Sequence, residues 1–170
     1  IDRSRGLGDV YKRQIQDPNL DRTDTQIAVK GMYLFQFSKG NDWPPSVKSG
    51  PFVVAIHDKP ALVKNLAKKY AAAAIGSQSL RIESVESSGD VGKAHVLYTE
   101  ATGPELDRIL SAVKGQPTLV VTAMQQGLPP GVGVNFFPSD NQLRYEINFQ
   151  EAKKRGILVG NRIASWAVNR

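Results

Sequence analysis

The sequence predicts an α/β fold: a single three-layer domain with a mostly parallel central sheet, a C-terminal antiparallel hairpin and helices on both faces. Three observations carry this reading. Phe52-Val-Val-Ala-Ile-His57 is a continuous apolar run, the pattern of a strand covered on both sides. Further short extended stretches alternate with stretches of helical periodicity, an order that favours parallel strands joined by crossover helices. Finally, residues 131–149 alternate with period two on either side of Pro138-Ser-Asp-Asn141, which reads as a hairpin with a turn built from residues that tolerate left-handed φ.

Taken in order, Gln16 to Asp24 is a polar lead-in, and Asp21 or Thr23 caps a helix running to about Lys39. Ile27, Gly31, Leu34 and Ser38 share one stripe of it, with Ala28, Met32 and Phe35 beside them. Tyr33 and Phe37 widen the apolar face, so the helix is expected to be substantially buried. Gly40-Asn-Asp42 ends it, and Trp43-Pro-Pro45 enforces an extended exit. After the first strand, Pro60 suits a first helical turn, and Val63, Leu66, Ala67 and Tyr70 follow at helical spacing. Leu80–Val85 is a second strand, residues 87–90 a loop and His95–Thr99 a third strand. Gly103-Pro104 opens a helix with Leu106, Ile109, Leu110 and Val113 on one face, and Pro117–Thr122 is a fourth strand.

In the hairpin, Val132, Val134 and Phe136 alternate on one arm and Leu143, Tyr145, Ile147 and Phe149 on the other. This face is expected to bury against the first or the C-terminal helix. Arg144, Glu146 and Asn148 occupy the opposite face as a polar ladder. Gln150–Arg155 forms a short helix capped by Gly156. Ile157-Leu-Val159 is a short extended piece, and Asn161 caps a last helix through Trp166.

A chain of 170 residues suits one domain, and hydrophobic and charged fractions of 41% and 22% are ordinary globular values. No apolar run approaches the roughly 20 residues of a membrane span. The absence of cysteine excludes disulfides, thiolate metal sites and cysteine catalysis.

Residues 1–14 resemble the translated read-through of a sequencing-library adapter, and we expect them to be foreign to the fold. Residues 15–26 are then a lead-in and 27–168 the domain, with the native start and any signal peptide lying upstream. Of the formal net charge of +6, the four basic and two acidic residues of 1–14 account for +2, leaving +4 for the rest. That balance is a solubility feature. No stretch interleaves basic and aromatic residues as a nucleic-acid face would, so no nucleic-acid partner is expected.

Catalytic signatures are missing. The two histidines, His57 and His95, sit at opposite ends of their strands, which argues against a shared metal site. Neither a dinucleotide nor a phosphate-binding glycine loop occurs. Gly131-Val-Gly133 precedes a strand, the wrong context for one. Ser38, Ser77 and Ser165 lack nucleophile-elbow glycines. Asp140 belongs to the turn, which leaves Glu146 without a second catalytic carboxylate.

No cofactor is implied. The candidate binding residues are Trp43, Arg144, Glu146 and Asn148. The ladder is either a polar network in which Arg144 and Glu146 partly neutralise each other, or the lining of a small-ligand or partner surface. Trp43 either packs the first helix onto the sheet or serves binding. A competing function is an enzyme or nucleotide binder at the carboxyl ends of the parallel strands, using His57, Asp58, Thr99, Glu100 and Thr122.

Three segments resemble a known family. Tyr33-Leu-Phe-Gln-Phe-Ser-Lys-Gly-Asn-Asp-Trp-Pro44 resembles the aromatic helix ending in "WP" that opens the YfiR/HmsC-like family of bacterial proteins. Leu143-Arg-Tyr-Glu-Ile-Asn-Phe149 resembles its hydrophobic-R-F-E-I-N-L strand, and Ala152-Lys-Lys-Arg-Gly-Ile-Leu-Val-Gly160 the segment after it. The resemblance covers roughly residues 27–168. It implies a compact α/β module, periplasmic or exported, that is not an enzyme. Such a module restrains a membrane-bound diguanylate cyclase or serves as the sensory part of a signalling protein, and it can form a homodimer. The disulfides of some relatives have no counterpart here, and His95 stands where many relatives have a cysteine.

Overall fold

The computed structural model describes residues 18–86, 91–123 and 126–169. The readings of residues 1–14 as foreign to the fold and of 87–90 as a loop fall outside them. The chain folds as a mixed α/β domain on one seven-stranded sheet with strand order β2-β3-β1-β4-β5-β6-β7. The strands are β1 (Phe52–His57), β2 (Ala74–Ile75), β3 (Gln78–Val85), β4 (Val96–Tyr98), β5 (Leu119–Ala123), β6 (Val134–Ser139) and β7 (Gln142–Ile147). The helices are α1 (Pro18–Gly40), α2 (Pro60–Tyr70), α3 (Gly103–Ala112), α4 (Phe149–Lys154) and α5 (Asn161–Trp166). Among the described residues no helix is long and apolar enough to cross a membrane.

From β3 through β1, β4 and β5 to β6, neighbouring strands run parallel, and the short strand β2 and the hairpin strand β7 are the antiparallel edges. From central β1 the chain moves outward through α2 to β3. From β4 it moves the other way through α3 to β5. Right-handed crossovers in opposite directions place α2 and α3 on opposite faces, and two cores result. The larger joins Leu34 and Phe37 of α1, Leu62 and Leu66 of α2 and Ile163 of α5 to Val54, Ile56, Tyr98 and Phe136. The smaller packs Ile109 and Val113 against Ala55, Leu97 and Val120.

The hairpin forms around a two-residue turn. Asp140 and Asn141 have φ of 53° and 61°, the left-handed pair that matches the twist of the flanking strands. Pro138, read as part of the turn, instead lies within β6 beyond its last pair with β5, where its missing N–H costs no ladder bond. The expected aromatic burial is present. The Tyr145 ring lies edge-on to Tyr33 at 5.2 Å and to Phe37 at 4.9 Å. Its hydroxyl donates to the Ile163 carbonyl at 2.6 Å, so one side chain joins α1, β7 and α5.

Two expectations near the ends of elements need correction. α1 begins at Pro18, so part of the sequence read as lead-in is helical. The alternation of the last strand stops at Ile147, and Phe149 is the exposed first residue of α4. The side chain of Asn148 accepts a hydrogen bond from Glu151 N at 3.0 Å, and this N-cap turns the chain out of the sheet before the alternation reaches Phe149.

Ile147 is 4% exposed within the larger core. Ile147→Ala is expected to lower stability by about 2–5 kcal/mol through lost transfer energy and a residual cavity, read as a shifted midpoint in urea titration.

Candidate functional site

The register of the sheet assembles a buried polar row that no single segment of sequence displays. Ile56 of β1 pairs with Tyr98 of β4, and Tyr98 pairs with Val121 of β5. The next position along each strand therefore brings His57, Thr99 and Thr122 side by side. Thr122 pairs with Asn135 of β6, and Asn135 with Glu146 of β7. All five residues alternate with the strand positions of the larger core, so they lie on the α3 face. Their exposures are 3%, 0%, 0%, 0% and 4% in that order. Thr122 donates to Asn135 Oδ1 at 3.0 Å, and Asn135 Nδ2 donates to Glu146 Oε2 at 3.2 Å. Buried polar groups require such pairing.

Glu146 thus sits at the end of this row. Among the described residues, no ion pair joins it to Arg144. Arg144 lies half-buried on β7, the outermost strand, opposite Phe137. The C-terminal tail bonds the same strand further along, through Val168 N to Tyr145 O at 2.8 Å and Ile147 N to Asn169 Oδ1 at 3.3 Å. Asn148 lies past the strand as the α4 cap, so the ladder read from the sequence divides into three environments. Trp43 is 4% exposed. Its indole N–H donates to His95 O at 3.2 Å, and its ring meets Phe52 edge-on at 5.0 Å.

The two histidines lie at opposite ends of the parallel strands, as expected, and their surroundings differ. At the amino end, His95 Nδ1 accepts from Val53 N at 3.1 Å. Nε2 therefore carries the proton and donates to Val47 O at 2.7 Å. Both nitrogens are satisfied, as in a structural histidine. At the carboxyl end, His57 Nδ1 shares a hydrogen bond with Thr99 Oγ1 at 3.0 Å. The same oxygen accepts from Ala101 N at 3.0 Å. His57 Nε2 is buried without a hydrogen-bond partner, 3.6 Å from Glu105 Oε1 in the first turn of α3.

Charge gathers around this end of the sheet. Glu100 Oε2 lies 3.8 Å from Lys30 Nζ and 3.6 Å from Lys59 Nζ. Burial lowers the pKa of Lys30; the Glu100 carboxylate opposes that shift and Lys59 adds to it. Tyr98, whose ring lies 5.8 Å from the Lys30 ammonium, has its phenol pushed far upward by burial and then by Glu100. Among the described residues no three His, Cys, Asp or Glu side chains group as a metal site.

Of the residues named for a carboxyl-end site, His57, Thr99 and Thr122 come together in the row. Glu100 stands beside it in the lysine pair, and Asp58 is exposed at the end of β1 with φ of 55°. Asn135, Lys30 and Glu105 escaped the sequence reading. Asn135 carried a signal, since a lone amide in an otherwise apolar strand requires a buried partner. Lys30 and Glu105 carried none, because helix positions say nothing about which strand end they reach.

A search of curated proteins finds no match to this chain. A profile of the YfiR/HmsC-like family matches residues 27–167. That span runs from Ile27 within the aromatic helix through the whole sheet and the α5 helix, and the chain belongs to the YfiR/HmsC-like family.

Proposed function

We propose that this chain is a non-catalytic, exported regulatory or sensory module acting on a membrane signalling protein of the diguanylate cyclase or histidine kinase type. The observation that carries the proposal is membership of the YfiR/HmsC-like family over nearly the whole described domain. Such a module belongs in the periplasm and works through a partner surface.

Among Trp43, Arg144, Glu146 and Asn148, we assign the partner contact to Arg144. It is the one charged side chain of the four on the outermost strand that is not enclosed in the polar row. Glu146 lies in the buried row, Asn148 caps α4, and Trp43 packs in the core against Phe52 and His95.

The test is co-expression of the exported chain with the cyclase or kinase encoded beside it. Cyclic-di-GMP or autophosphorylation should change when the chain is present, and Arg144→Glu should abolish the change. The variant's Tm should stay close to the parent's, as for a surface substitution within about 0.5 kcal/mol. An output that ignores the chain would refute the function. A regulated output that Arg144→Glu leaves intact would move the contact elsewhere. The competing enzyme reading draws on His57, Thr99 and Thr122, but the one hydroxyl–imidazole contact among them, Thr99 Oγ1 with His57 Nδ1 at 3.0 Å, involves a hydroxyl that is 0% exposed and closed to a substrate.

A further inference from the structure

We infer that the crevice at the carboxyl ends of β1 and β4 is a binding site for a small oxyanion ligand, a carboxylate or phosphate group. His57 Nε2, Lys59 and the first-turn amides of α2 and α3 would receive it. The inference deepens the regulatory reading by giving the module an input, and depends on that reading only for its biological meaning.

Four features lie around that end of the sheet. The chain moves outward in opposite directions from β1 and β4, and open α/β sheets bind ligands in the crevice formed at such a reversal. Two helices of 11 and 10 residues, α2 and α3, begin at that edge. Neither has a side-chain cap on its first turn, since Lys59 and Thr102 make no capping bond. Uncapped helix starts present amides and partial positive charge to an anion.

The third feature is independent of the helices. His57 is 3% exposed, and Thr99 holds its Nδ1 while Nε2 has no hydrogen-bond partner. That nitrogen points toward the start of α3, where Glu105 Oε1 lies at 3.6 Å. Leaving a buried polar nitrogen unsatisfied costs about 1–3 kcal/mol, and an oxyanion would remove that cost. Fourth, two ammoniums, Lys30 and Lys59, flank the single carboxylate of Glu100, leaving one positive charge in the trio. The half-exposed Glu105 carboxylate occupies the place an incoming oxyanion would take, so the ligand competes with it.

Titration of the purified chain with inorganic phosphate and, separately, acetate, against chloride at matched ionic strength, tests the site. A saturable response is expected from one or both anions, and which one responds distinguishes a phosphate from a carboxylate ligand. In amide-resolved NMR it should move the amides of Ala61–Val63 and of Gly103, Glu105 and Leu106. Lys59→Gln and His57→Gln should each weaken binding at least tenfold, and Glu105→Gln should tighten it. Lys153→Gln, on the exposed part of α4, should leave it unchanged. Lys59 is half-exposed, so its variant keeps the test alive if His57→Gln fails to fold. No saturable response to either anion, or a response that Lys59→Gln and Lys153→Gln share equally, would overturn the site. Because no partner protein is present, that result would leave the regulatory proposal to its own test.

Discussion

Above about pH 10 the domain is expected to lose stability steeply, because two tyrosines must stay protonated to remain where they are. Tyr98 and Tyr145 are both 0% exposed. Burial raises both phenols well above their ordinary value, with Glu100 adding to the shift at Tyr98 and Tyr33 at Tyr145. The sign follows from proton counting. The unfolded chain releases each phenolic proton near pH 10, while the folded chain keeps it. The contribution of each group is therefore complete below the unfolded pKa and is lost as pH rises toward the folded one. Each retained proton costs about 1.4 kcal/mol of stability per pH unit, or about 2.7 kcal/mol for the pair.

Lys30 does not mask this. Its lowered pKa makes the unfolded chain the stronger proton binder, so its effect has the opposite sign and ends near the ordinary lysine value. Urea titrations between pH 8 and 11.5 would measure the slope, and Tyr145→Phe and Tyr98→Phe should each remove about half of it. Slopes equal to the parent's in both variants would refute the account. At pH 8 the two variants should differ. The Tyr145 hydroxyl donates to Ile163 O, and losing that bond should cost about 1 kcal/mol. The Tyr98 hydroxyl lies beside Glu100 and makes no well-formed hydrogen bond, so its removal should cost less than the loss at Tyr145.

Gly160→Ala is the second large expected effect, and the reason is close approach. Gly160 begins α5 with φ of −70°, a conformation any residue adopts. A β-carbon there would overlap the carbonyl oxygen of Gly40, where α1 ends. Gly40 is equally confined, since its own added Cβ would lie 2.8 Å from Ile163 Cγ1. The junction is held by Gly160 N donating to Asn41 Oδ1 at 3.0 Å and by the Asp42–Leu158 bridge at 2.9 and 2.8 Å. A methyl group added at Gly160 meets the backbone carbonyl of Gly40 and has no flexible side chain to displace. The substitution is expected to cost about 3 kcal/mol or more, partly offset by about 0.4–1 kcal/mol from a stiffer unfolded chain. Thermal denaturation should show a Tm lower by many degrees, with the circular dichroism of the surviving fold unchanged. A Tm within a degree of the parent's would show that α1 and α5 can separate freely.

The sequence reading succeeded where one segment contains its own evidence. The run from Phe52 to His57, the alternation through Tyr145 and Ile147 and the aromatic stripe of α1 each declare their element by spacing alone. Leu66 of α2 and Leu106 and Ile109 of α3 likewise mark faces that become buried, whereas Leu62 is buried off the stripe read for α2 and Ala67 on that stripe is exposed. Boundaries were less legible because they depend on caps. Asn148 continues the ladder by spacing, but its side chain caps α4.

Period-two alternation by itself determined that Arg144 and Glu146 share a face opposite Tyr145 and Ile147, and the helical spacings determined which stripes face the sheet. Whether that opposite face meets solvent or a second layer depends on elements far along the chain, so only the tertiary structure decided that Glu146 is buried and Arg144 half-exposed. Register did the rest. His57, Thr99, Thr122, Asn135 and Glu146 are spread over 90 residues of sequence and become neighbours because parallel crossovers align their strands to within one residue. A one-residue slip would turn each strand's side chains to the other face, which is why the polar row, and the buried, unpartnered nitrogen of His57, belong to the fold and not to any motif.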